Sequence, residues 1–170
     1  MWSGAVRNAS FPWNDWQAAV RLYPGLNFAF IGPKRQITLP PMTIMARFVT
    51  PGTDHQELRP WWITTSALER IADASCHVGH STAVIARDRL ALSVDWNRTM
   101  QSFLVYRLTS SYGAWLGRAA RQPLWVKNAA SPLLSGGEYQ LYVAGLQKKD
   151  LQKVGTALAF FSVPRSSSNH

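Results

Sequence analysis

The sequence predicts a single α+β domain, on three observations. Its 170 residues are 46% hydrophobic and only 16% charged, a composition that folds, at a length suited to one core. Short helical signals sit in the first half of the chain. The second half is mostly β-prone runs separated by Gly, Pro and polar turns. The domain is expected over residues 1–164, with the Ser-rich tail 165–170 frayed.

In chain order, Asp15 to Leu22 predicts a short helix stopped by Pro24-Gly25. Pro33 to Pro41 reads as a loop, and Thr43 to Thr50 as a strand ended by Pro51-Gly52. Gly52 to Pro60 is a polar loop. Trp61 to Thr65 is a short β-prone run that leads into a helix, with Ser66 as N-cap and Glu69 completing a capping box. Leu68, Ile71 and Ala72 then keep helical spacing. Further strands are expected at Thr82–Ala86, Leu90–Val94, Ser102–Leu108, Ala114–Ala119, Tyr139–Val143 and Thr156–Val163.

Charge narrows the function classes. Eighteen Lys and Arg against nine Asp and Glu leave +9, which suits an anionic partner such as nucleic acid, a nucleotide or an acidic protein. Cys76 is the single cysteine, so neither an intrachain disulfide nor a multi-cysteine zinc site can form. No metal is expected. Cys76-His77-Val78-Gly79-His80 looks like a helix-end turn, because Gly79 interrupts the helix between the two imidazoles. Met1 to Gly25 has no uninterrupted apolar stretch of a signal peptide, and no run approaches a membrane span. The expectation is therefore a cytoplasmic protein, or one delivered to a target-cell cytosol by a non-classical route, with no membrane partner.

The chain contains three glutamates, Glu57, Glu69 and Glu138. Glu138 is the best placed for chemistry. It follows Gly136-Gly137 and opens a β-prone run, so Glu138 and Gln140 project from one face of a strand. Upstream, Arg47 lies inside an apolar strand, and Thr64-Thr65-Ser66 ends a strand at a helix start.

Taken in order, an arginine on one strand, Thr-Thr-Ser on a second and Gly-Gly-Glu before a third resemble the ADP-ribosyltransferase family of the cholera-toxin-like class. Val143-Ala144-Gly145-Leu146 is similar to the apolar-plus-glycine run after that family's glutamate, and the likeness spans Thr43 to Val154. The resemblance implies a split, mostly antiparallel β core with flanking helices that clasps NAD as substrate. It implies that Arg47 binds NAD, and that Thr64, Thr65 and Ser66, with Trp62 beside them, build the cofactor-binding cleft. Glu138 or Gln140 would then face the reacting ribose as the catalytic position.

In the family the catalytic glutamate is usually the second of the two residues separated by one, and here the second is Gln140. A glutamine can hydrogen-bond a ribose hydroxyl but supplies no negative charge, so the chain is inactive if Gln140 replaces the catalytic glutamate. The implied function is mono-ADP-ribosyl transfer by a toxin or effector to a macromolecular acceptor, with an immunity or antitoxin partner. Residues 126–137 would present the acceptor. The alternative is a basic nucleic-acid-binding or RNA-processing module, for which interleaved aromatic and basic residues around Tyr106, Trp115, Arg118 and Trp125 are the sign.

Overall fold

The computed structural model describes residues 5–50, 58–94, 99–100, 102–124 and 132–154. In chain order these form α1 (Trp16–Leu22), a 3₁₀ turn (Pro24–Phe28), β1 (Phe30–Leu39), β2 (Ile44–Val49), β3 (Trp61–Thr64), α2 (Thr65–Val78) and α3 (Thr82–Arg89). There follow β4 (Ser102–Leu108), β5 (Tyr112–Ala119), β6 (Gln122–Pro123), β7 (Leu133–Leu134), β8 (Tyr139–Tyr142), a second 3₁₀ turn (Lys148–Asp150) and β9 (Leu151–Lys153). It is a single α+β domain. The helices α1–α3 pack on a seven-stranded sheet of order β1-β5-β8-β3-β2-β4-β9, antiparallel at every pairing. A small β6–β7 ribbon stands beside it. Among the described residues no helix is long and apolar enough to cross a membrane.

The sheet is hydrogen-bonded throughout, yet it narrows at one strand. Within β3, Trp61 and Trp62 pair with Tyr142 and Leu141 of β8, while Ile63 and Thr64 pair with Ala46 and Met45 of β2. Two broad blocks, β1-β5-β8 and β2-β4-β9, are thus stitched together by four residues. This is the form the expected split takes.

Alternation along the strands sorts the core. Trp62, Leu141, Tyr112 and Met45 point to one face and form the largest buried cluster. On the other face two separate caps cover the sheet. The aromatic N-terminal segment, with Trp13, Trp16 and Leu26, packs on Trp61, Trp115 and Tyr142. Helices α2 and α3 bury Leu68, Ile71 and Ala86 against Ala46, Phe48, Ile63 and Val105. Trp62 is buried with its indole Nε1 donating to Arg59 O at 2.8 Å, which satisfies the one polar atom that burial would strand.

Several expected elements are corrected. Pro33–Pro41 is not a loop; most of it lies in β1, an edge strand whose register shifts between Ile31 and Lys34, and an edge with a bulge tolerates a proline that lacks an N–H. Thr82–Ala86 is not a strand but the start of α3, capped by Ser81, whose Oγ accepts from Val84 N at 3.3 Å. Its β-branched residues yield to the cap and to packing on α2. Leu90–Val94 is no strand either: Leu90 caps α3 and Ala91 turns with φ 49°. The N-cap of α2 is Thr64, two residues before the expected Ser66, with Oγ1 accepting from Ala67 N at 3.1 Å. The strand expected at Thr156–Val163, the tail 165–170, the domain's C-terminal limit and residues 126–131 of the acceptor loop lie outside the described residues.

Candidate functional site

Pairing between β2 and β3 stops at Ala46 and Ile63. Beyond that point the strands part, and Arg47 enters the gap with Nη1 donating to Trp61 O at 3.2 Å. A cavity of about 470 Å³ opens there, between the two caps. Tyr23, Phe28 and Ala29 of the N-terminal cap form one wall, Leu90 to Leu92 after α3 form another, and Trp61 and Trp62 lie between them with Gln140 of β8.

Its electrostatics are one-sided. Arg47 and Arg59 both line it, and among the described residues no carboxylate does. Burial, with a smaller contribution from the Arg59 charge and a partial offset from Tyr23, pulls the Arg47 guanidinium down to about 10. Its Nε is buried with no hydrogen-bond partner among the described residues. A desolvated cation with a stranded donor is destabilising until an acceptor reaches it. Gln140 Nε2 donates to Ala29 O at 2.8 Å, which ties β8 to the N-terminal cap. The cavity therefore combines two guanidiniums, the amides of Gln122 and Gln140 and flat apolar walls, a lining suited to an anionic ligand with aromatic rings.

Glu138 is held differently. It precedes β8 on the side where α2 packs, and Arg70 of α2 grips it in a fork. Nη2 donates to Oε1 at 2.6 Å and Nε donates to Oε1 at 3.1 Å. Tyr139 N adds a third hydrogen bond to Oε1 at 2.8 Å. The pair raises the Arg70 pKa, the hydrogen bond to Glu138 being the main cause. The approach to Glu138 is equally fixed. Ser135 N and Oγ donate to the Asp88 carboxylate, Gly136 N donates to Asp88 O, and Glu138 N donates to Arg89 O. Gly136 has φ 66°, and a Cβ there would stand 2.5 Å from Ala119 O, so only glycine fits.

The sequence-predicted residues thus divide. Arg47 and Gln140 line the cavity together; Trp62 borders it, but its indole is buried in the cluster on the opposite sheet face. Glu138 does not line it, its carboxylate being engaged by Arg70. Thr64 caps α2, and Thr65 and Ser66 are exposed in its first turn. At the other end of α2, Gly79 is the left-handed C-cap and His77 Nδ1 lies 2.7 Å from Asp73 O. Sequence reasoning missed Arg59, Trp61, Tyr23 and Arg70. The Arg59-Pro60-Trp61-Trp62 run, a cation beside two large rings, was the available signal for the first two. Arg70 carried none, because its partner lies 68 residues away.

No family model matches this chain, and no curated protein matches it. Among solved structures it is similar to Rhs1-CT in complex with its cognate immunity protein RhsI1, with TM-score 0.49 and 16% identity over 75% of this chain and 81% of that one. It is also similar to Tne2 in complex with Tni2, with TM-score 0.43 and 15% identity over 75% of this chain and 94% of that one. Likeness at this level assigns neither activity nor partner.

Proposed function

We propose that the cavity binds NAD and that the chain is an ADP-ribosyltransferase of the toxin or effector kind. The observation that carries this reading is the lining itself: Arg47, with its stranded Nε, beside Arg59, Trp61, Tyr23 and Gln140. The two guanidiniums suit the diphosphate of a dinucleotide, since planar donors match phosphate oxygens. The aromatic walls suit its rings. In the reaction the bond between ribose C1′ and the nicotinamide nitrogen breaks, and its electron pair leaves with neutral nicotinamide. The acceptor's nucleophile captures the ribosyl cation and gives up its proton. On this reading Gln140 orients the sugar, but it adds no charge to stabilise that cation. Glu138, on the same face of the chain at the head of β8, is the nearest carboxylate in sequence and is held by Arg70. The acceptor is a macromolecule. An acidic immunity partner belongs to the same reading, because a domain of net charge +9 is most readily masked by opposite charge.

Calorimetric titration of NAD tests this. Wild-type protein binds and Arg47→Ala does not, while Gln140→Glu gains NAD hydrolysis if position 140 faces the reacting sugar. Absence of NAD binding in wild type overturns the reading.

A further inference from the structure

We infer that the rim formed by β1, β5 and β8, on the sheet face opposite the cavity, is a docking strip for an acidic, extended segment of a partner protein. Tyr139 neighbours Gln140 in β8, so its side chain leaves by the other face. It meets two cations there: the Arg118 guanidinium lies 5.1 Å from the ring centre and that of Arg70 lies 5.9 Å away. The Arg118 guanidinium beside the phenol holds its pKa below the usual range, with Arg35 and Arg70 adding to the effect. Register places Ile31 of β1, Arg118 of β5 and Tyr139 of β8 in one row across the sheet. Arg35 stands opposite Leu116 farther along β1.

The strip is cationic, and its floor is apolar. Ile31, Leu116, Arg35, Arg118 and Tyr139 line one shallow groove, and Ile31 is 53% exposed. The nearby carboxylate, Glu138, is already taken by Arg70. Beside the groove runs β1, the terminal strand of the sheet, and past its bulge and Pro33 the backbone edge from Lys34 to Leu39 can accept another strand. An added strand that alternates acidic and apolar residues would answer each of these features. A nucleic acid fits less well, because the Tyr139 ring is already engaged by guanidiniums and offers poor stacking for a base. This inference stands apart from the NAD reading, since none of its residues lines the cavity.

The probes are a short peptide alternating glutamate with valine, its glutamine counterpart, and a single-stranded oligonucleotide, each titrated against the full chain. The glutamate peptide should bind, its affinity should drop by about tenfold or more in the Arg35→Glu/Arg118→Glu variant, and amide exchange should slow along β1. Both arginines are exposed, and a thermal unfolding curve matching wild type verifies the fold. Arg118→Gln, a milder change, should weaken binding by a smaller factor. Equal binding of the two peptides, tighter binding of the oligonucleotide with the same arginine dependence, protection elsewhere than β1, or no binding of the glutamate peptide would each overturn the inference.

Discussion

Two arginines on neighbouring elements meet opposite fates. Arg70 stands at the surface of α2 and is fully answered: its fork closes on Glu138, its charge is balanced, and its pKa rises. Arg47 sits in the gap between β2 and β3 with one carbonyl, a stranded Nε and a second cation nearby, and its pKa falls. One is scaffold and the other is an open valence. A fold tolerates a buried, half-partnered cation at a cost, and on the proposed reading an anionic ligand in the cavity would offset that cost.

Perturbing each arginine's setting separates the two roles. The largest stability loss should come from Gly136→Ala, which forces a Cβ against Ala119 O at a positive φ and pushes the Glu138 approach out of place. A loss of about 2–4 kcal/mol is expected in urea unfolding. Glu138→Gln keeps the shape and removes the charge. Because the Arg70 side chain is 47% exposed, solvent screens what is lost, and the cost should be about 1 kcal/mol.

Arg47→Met should behave in the opposite way. Removing a desolvated cation should leave unfolding stability unchanged or raise it by about 1 kcal/mol, while NAD affinity falls by about tenfold or more. A large destabilisation by Arg47→Met would erase the contrast between the two sites.

The smallest effect concerns pH. Burial, aided by the hydrogen bond to Asp150, pushes the Tyr112 phenol up to about 12. Between its ordinary value near 10 and about 12, the folded chain keeps a proton that the unfolded chain releases. Stability from this group is therefore complete below pH 10 and is lost as pH rises through that window. Thermal unfolding followed above pH 9 should show a shallower decline in Tyr112→Phe, with the Arg47 cavity unaffected.

Local signals located elements wherever the determinant was local. The Asp15 cap and the Pro24-Gly25 stop bound α1, whose N-cap Asp15 accepts from Ala18 N. The apolar run at 102–108 is a strand throughout, and the run at 139–143 is one as far as Tyr142. Such signals failed where two local preferences competed. Thr82, Val84 and Ile85 have β-prone side chains, but the Ser81 cap and the surface of α2 drew them into α3. Pro33 to Pro41 read as a loop because nothing in the sequence tells an edge strand, which tolerates Pro33, from a central one.

The sequence by itself determined the α+β class, the basic character, and three of the residues that share the cavity, Arg47, Trp62 and Gln140. The class and the charge follow from composition and from periodicity along the chain, and the three residues from the resemblance to the ADP-ribosyltransferase family. Only the tertiary structure decided that Glu138 is bound by Arg70, that Arg59 joins Arg47, and that the N-terminal aromatic segment forms a wall. Those pairings join residues far apart in sequence, and their energies depend on burial. Burial is a property of the packed chain and of no single segment of it.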